Sequence, residues 1–365
     1  MANDDAAVVM RNSELSLAEV PVPKPGPGEV LIKTLATGIC GSDLHTVAHG
    51  DKLLASARAV AGVELFDPND QIVLGHEFCG EIVDYGPGCQ KTHAIGARVV
   101  SAPFLIRPQP VTIGFGRLDT PGGFAEYMVL SEPLLVPVPD HVPSDLATLT
   151  EPLAVAVHAV NRGELGADDV PIVIGCGPIG LAIIAVLKMR GIGPIVAADL
   201  SPARRAMASR LGADIVVEPR ETSPYKAWQS VAGISDPARF GRQTPMFPGF
   251  AFRPSVVFEC VGVPGIIQQA LSEAAPCSRV VVVGLCMEKD SFYPTYAVLK
   301  EIDLRFCIAF SGEEYVEAFT HIASGQLKIS SLITSHVSLD GVPDAFKRLA
   351  DPEKDAKIIV LPQKH

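Results

Sequence analysis

Ile172 to Ala182 read IVIGCGPIGLA. An apolar run of β type ends at Gly175, and a helical pattern begins a few residues later. Between them Gly175, Gly177 and Gly180 fall in the spacing GxGxxG, with Pro178 and Ile179 inside it. This order predicts a strand-to-helix turn. The first glycine permits the tight bend, the second lets backbone approach a pyrophosphate, and the third allows close packing of helix on strand. The free N–H groups of the helix N-terminus would then face the phosphate charge.

The motif alone is weak, and its downstream neighbours strengthen it. A second β run, PIVAADL, is closed by Asp199, nineteen residues beyond Gly180. A carboxylate there can accept hydrogen bonds from both hydroxyls of an adenosine ribose and repels a 2′-phosphate, which favours NAD over NADP. Arg204 and Arg205 pull the other way, because a nearby cation could accommodate the extra phosphate. A glycine-rich turn that binds nothing is the alternative, and the surrounding βαβ context opposes it.

Working outward, strand and helix patterns alternate after Glu151. PIGLAIIAVLKMRG follows the first strand and SPARRAMASRLGA the second, and then come DIVVE, SVVFECVG, GIIQQALSEAA and SRVVVVGL. DLRFCIAF is a sixth strand candidate. This is the rhythm of a parallel sheet. Residues 219–254 are expected to form a short helix and a long loop. Before Glu151 the chain instead alternates short β runs (EVLIKTLAT, FCGEIVDYG, ARVVSAP, FAEYMVL, LLVPVP) with Gly/Pro turns, which is antiparallel or barrel-like character. The tail offers two amphipathic helices and a last strand, AKIIVLP. No internal repeat is present.

The composition limits the partners. The chain has 365 residues, 48% apolar and 19% charged, which suits two packed domains and argues against disorder. A net charge of −11 points away from nucleic acid and anionic membranes. The most apolar run is broken by Gly and Pro, and the first residues lack the pattern of a signal peptide. Eight cysteines without a CxxC pair favour a reducing compartment. The expectation is a soluble cytoplasmic protein.

GICGSDLH, Gly38 to His45, places a thiol, a hydroxyl, a carboxylate and an imidazole within six residues. Zinc takes sulfur, imidazole and carboxylate ligands, and a catalytic site uses three of them with one position left open. Cys40, the His76–Glu77 pair of LGHEFCGEIVDYG, and Glu151 of TEPLAVAVHAV are candidate ligands. They are far apart in the chain, and spacing alone does not join them.

GICGSDLH, GHEFCGEIVDYG, GGFAEY, EPLAVAVHA and GCGPIG, in that order, resemble the zinc-dependent medium-chain dehydrogenase/reductases, particularly the sorbitol, threonine and related alcohol dehydrogenases. The resemblance covers nearly the whole chain. It implies an α/β protein with a GroES-like β-rich catalytic domain (1–152 and 311–365), a Rossmann doubly wound domain (153–310), and an active site in the cleft between them. Carried over by motif, Cys40, His76 and Glu151 match the catalytic zinc ligands. Glu77 matches a carboxylate near the metal that can replace its water. Asp43 matches the group that orients the His76 imidazole, Ser42 the hydroxyl that relays the substrate proton, and His45 the imidazole that passes it toward solvent.

The implied reaction is hydride transfer between NAD(H) and a secondary alcohol or polyol and its ketone, in a homodimer or homotetramer. One thiolate and one carboxylate formally cancel Zn²⁺. A further ionised Glu77 would make the site anionic and oppose alkoxide formation, so Glu77 is not expected to be a permanent ligand in the reactive state. Many relatives hold a second, structural zinc on four cysteines, whereas SAPFLIRPQPVTIGFGRLDTPGG, residues 101–123, contains none. One zinc per subunit is therefore expected. Residues 45–74 read as an unusually long connector. Cys79 and Cys89 read as small buried hydrophobes; His49, His93 and His141 read as surface or loop histidines, and His158 as structural. Two other readings remain: a metal-free NADPH-dependent quinone or enoyl reductase of the same superfamily, and a non-catalytic nucleotide-binding protein.

Overall fold

The structure is a computed structural model that describes residues 4–233 and 252–363. The chain divides into two compact units. One comprises Met1–Glu151, Tyr315–Gly325 and Ile333–His365; the other comprises Pro152–Glu314 and Gln326–Leu332.

The first unit begins with an antiparallel hairpin of β1 (Asp4–Arg11) and β2 (Glu14–Pro21). Asn12 and Ser13 form its two-residue turn, both at positive φ, the conformation that matches strand twist. β3 (Glu29–Gly38) leads into α1 (Gly41–Ala61). Next come β4 (Ile72–Val73), β5 (Glu77–Tyr85), β6 (Arg98–Ser101), β7 (Phe104–Leu105), β8 (Val111–Thr112), β9 (Tyr127–Ser131), β10 (Leu135–Pro137) and α2 (Ser144–Ala147). α3 (Thr150–Gly163) carries the chain onward.

The second unit holds β11 (Val170–Ile174), α4 (Pro178–Met189), β12 (Val196–Ala198), α5 (Pro202–Leu211), β13 (Ile215–Val217) and α6 (Pro224–Ala232). β14 (Ser255–Glu259), α7 (Ile266–Glu273), β15 (Arg279–Val282), α8 (Pro294–Lys300) and β16 (Asp303–Phe306) complete its sheet. α9 (Gly312–Ala323), β17 (Ile333–Val337), α10 (Val342–Leu349) and β18 (Lys357–Val360) end the chain.

The second unit's sheet runs β13-β12-β11-β14-β15-β16, all pairs parallel. Its order reverses at β11 and β14, the switch point where doubly wound sheets bind ligands. Val170, Ile172, Val257 and Val280 are fully enclosed, as strands covered on both faces require. In the first unit the main sheet runs β10-β6-β5-β3-β18-β17, with β9 also on β3. The C-terminal strand β18 thus lies directly beside β3, antiparallel, with Ile359 opposite Gly38.

Residues 45–74, expected as a connector, differ from that reading: α1 runs for 21 residues, with non-helical angles at His49, and stops at Gly62 in the left-handed region. Its apolar residues lack helical periodicity, so the pattern did not announce it. Of residues 219–254, α6 accounts for the expected short helix, and the loop after it, 234–251, lies outside the described residues.

Candidate active site

β3 ends at Gly38, and Cys40 caps the N-terminus of α1 in extended conformation. The Asp43 carboxylate turns back to accept the Cys40 N–H at 2.9 Å, satisfying one of the orphan donors of a helix start. Its other oxygen lies 3.3 Å from Nδ1 of His76. One carboxylate thereby caps the helix start and lies beside the ring, whose buried Nδ1 makes no hydrogen bond. On the far side of the ring, Nε2 is 3.2 Å from Ser42 Oγ. Burial pushes the His76 imidazole down, but the neighbouring Asp43 and Cys40 outweigh it and hold its pKa well above the ordinary value.

Among the described residues, donor atoms of Cys40, His76 and Glu77 converge to within 4.8 Å of one another. Thiol, imidazole and carboxylate are the donor set that zinc selects, so the residues fit the ion. Glu151, expected as the third ligand, is not in this group. It sits in the first turn of α3, where burial pushes its carboxyl up to about 7; His76 opposes that rise and Glu77 adds to it. Glu77 stands closer because it comes directly after His76 and opens β5, opposite Gly38.

Glu77 does not stand alone. Lys357, on β18, is 1% exposed and places Nζ 2.7 Å from each Glu77 oxygen, and Glu77 itself is wholly enclosed. Burial lowers the lysine's pKa, yet Glu77 and Cys40 raise it above its usual value overall. Sequence reasoning missed Lys357, because a single cation in AKIIVLP carries no spacing signal.

His45 lies three residues beyond Ser42 on α1, the same face of a helix. Its ring stacks at 6.2 Å on that of His49, and burial, followed by the charge of His49, lowers its pKa. His49, read from sequence as a surface or loop histidine, sits at the non-helical kink within α1, half-buried beside the proposed relay. His158 instead pairs with Glu314 at 2.8 Å. Cys79 is enclosed, its thiol pushed up to about 12 by burial, and the Cys89 thiol donates to the Glu29 carbonyl.

In the second unit Gly175 adopts φ 90°, and a side chain on it would press on Val261. Gly177 caps α4, Pro178 is its first residue, and Ile179 comes next within the helix. A Cβ on Gly180 would collide with the Gly175 carbonyl. Asp199, just past β12, accepts the Cys176 N–H at 2.6 Å and the Ser201 N–H at 2.8 Å, one on each oxygen. Arg205 Nη1 is committed to the Asp199 and Leu200 carbonyls and to Glu218. Arg204 lies over the glycine turn, where the nearest atom to a Cβ on Gly177 would be its Nη1, at 3.8 Å.

A GroES-like β unit with converging thiol, imidazole and carboxylate, joined in one chain to a doubly wound nucleotide-binding unit, defines a metal-type medium-chain dehydrogenase. Comparison with known proteins agrees. Residues 26–140 match the alcohol dehydrogenase GroES-like domain and residues 178–324 the zinc-binding dehydrogenase family. The chain is 31% identical over 358 residues to (R,R)-butanediol dehydrogenase of Bacillus subtilis (strain 168), covering 96% of this chain and 97% of that one. It is 30% identical over 355 residues to sorbitol dehydrogenase of Gallus gallus, covering 94% and 92%. A putative zinc-binding dehydrogenase from Sinorhizobium meliloti 1021, solved bound to NADP, superposes with TM-score 0.79 at 26% identity, covering 99% of this chain and 100% of that one. The chain belongs to the zinc-dependent medium-chain dehydrogenase/reductase family. It is an oxidoreductase that transfers a hydride between a nicotinamide cofactor and an alcohol–ketone pair.

Proposed function

We propose a zinc- and NAD-dependent dehydrogenase of secondary alcohols or polyols, with the first unit catalytic and the second binding the nucleotide. The observation that carries it is the convergence of Cys40 and His76 with a carboxylate at the start of α1, beside the Ser42 hydroxyl. Cys40 and His76 hold the metal, with Glu151 and Glu77 as the carboxylates available to complete its protein ligands. Zinc bound there supplies a Lewis acid that lowers the pKa of an alcohol. Ser42 Oγ accepts the substrate's hydroxyl proton as its own passes on, and His45, whose pKa burial lowers, carries that proton toward solvent. Asp43, 3.3 Å from Nδ1, is placed to orient the His76 ring when the metal is bound.

NAD is supported by Asp199, whose two oxygens each keep a lone pair for a ribose hydroxyl, and by Arg205, whose contacts leave it little freedom to bind a phosphate. Arg204, together with the NADP named for the S. meliloti relative, supports the competing preference. The absence of cysteine between residues 101 and 123 supports one zinc per subunit. No described helix is long and apolar enough to cross a membrane; a cytoplasmic homo-oligomer is the proposed state.

The test is a panel of secondary alcohols and polyols with NAD and NADP, monitored by nicotinamide absorbance on protein of measured metal content. Activity lost with zinc and regained on its return carries the reading. Activity indifferent to a chelator would instead favour the metal-free quinone or enoyl reductase. Nucleotide binding with no turnover on any substrate would leave only the non-catalytic alternative.

A further inference from the structure

β5, β3 and β18 lie side by side, and Gly38 occupies the middle strand opposite both Glu77 and Ile359. A Cβ at Gly38 would collide with Glu77 Oε2. The missing side chain leaves room for the Glu77 carboxylate against β3, where Lys357 from the other neighbouring strand meets both its oxygens. Lys357 Nζ also donates to the Ile39 carbonyl at 3.0 Å. All three ammonium hydrogens thus have acceptors, and both Glu77 oxygens have the same donor.

We propose that Lys357 is a positioning residue that decides which carboxylate completes the metal centre: by clamping Glu77 across Gly38, it leaves that position to Glu151. The inference rests on the metal-centre reading above. Glu77 is near enough to Cys40 and His76 to serve as a ligand. Moving onto a metal would strip the buried ammonium of two of its three acceptors, and an uncompensated buried charge is strongly destabilising. The clamp also offsets the extra negative charge that would otherwise oppose alkoxide formation. Lys357 lies 280 residues from Glu77 in the chain, so the C-terminal strand takes part in the chemistry of a site built by β3, α1 and β5.

Cobalt(II) replacing the metal reports ligand number through its visible d–d absorption, which weakens and shifts as coordination expands. In Lys357→Met, Glu77 is released, the bands move toward higher coordination, and loss of metal to a chelator slows by at least about tenfold. Lys357→Arg keeps the wild-type spectrum, and adding Glu77→Gln to Lys357→Met restores it. Glu77→Gln alone, which preserves shape and one acceptor for Lys357, leaves the wild-type bands in place, and Lys357→Gln, which removes the charge but keeps a donor for Glu77, stands in with the same expected shift where the Lys357→Met chain does not fold. A changed spectrum in Glu77→Gln, or an unchanged one in fully loaded Lys357→Met, overturns the proposal while leaving the metal centre intact. Wild-type protein that takes up no cobalt, with Cys40→Ser making no difference, sinks the metal-centre reading and this inference together.

Discussion

Ser42 contributes a hydroxyl 3.2 Å from His76 Nε2, and a methyl group in its place can neither accept nor pass on a proton. Ser42→Ala should lower kcat by about 100-fold or more, the usual worth of a positioned proton-transfer group, with nucleotide binding unchanged. Stopped-flow hydride transfer and nicotinamide fluorescence separate the two effects; turnover retained within a few-fold would remove Ser42 from the relay. Asp199 is a separate case. Its carboxylate organises the turn through Cys176 and Ser201 as well as facing the proposed ribose. Asp199→Asn should weaken NAD by about 2 kcal/mol, roughly 30-fold in Kd, and narrow the preference over NADP. Titration calorimetry with both nucleotides checks this, and an unchanged ratio would show that Asp199 does not discriminate between them.

Strand β1 carries its own titration. Asp5 is 1% exposed and accepts N–H groups from Glu126 and Tyr127, yet burial pushes its pKa up to about 7, with Glu126 adding to the rise. A carboxyl whose folded pKa lies above its unfolded value stabilises the fold most when protonated. That contribution is present in full below about pH 4 and is lost as pH rises through 7, at about 1.4 kcal/mol per pH unit within the window. Wild type should therefore lose stability relative to Asp5→Asn between pH 4 and 7. Urea melts of the two proteins across that range measure it, and parallel stability curves would contradict the shift.

Helix α1 shows what pattern reading misses among the elements. GICGSDLH was legible as a cluster of reactive groups, yet the 21-residue helix that carries it was not, because its apolar residues obey no helical period. The βαβ elements were legible from Val170 onward, since strands covered on both faces must be continuously apolar and their helices must show the period that packs on them. The β1–β2 hairpin went unread, although Asn12-Ser13 between VVM and LSL is a local turn signal.

For the whole molecule, the proposed homo-oligomer would find a candidate contact at the edge of the second unit's sheet. Among the described residues β16 pairs with β15 alone and carries Phe306 at 61% exposure, with Ile308, just beyond, at 80%. An edge strand flanked by exposed apolar side chains is a candidate for pairing with a second copy. Ile308→Glu combined with Phe306→Glu should lower the sedimentation coefficient to that of a smaller species while the far-UV spectrum is kept. An unaltered assembly would place the interface elsewhere.

The order of patterns along this chain is enough to specify two kinds of domain, a glycine-rich strand-to-helix turn at Gly175–Gly180, an acidic end to the second strand of that sheet, and a set of side chains suited to zinc. Each of those rests on local physics: a backbone angle, a period, a ligand's chemistry. Convergence is not local. That Glu77 comes within 4.8 Å of Cys40 and His76, and that Lys357 meets both its oxygens, depends on which strands become neighbours. Strand pairing brings together residues hundreds of positions apart, and a lone lysine near the end of the chain leaves no trace in the sequence of the carboxylate it will meet.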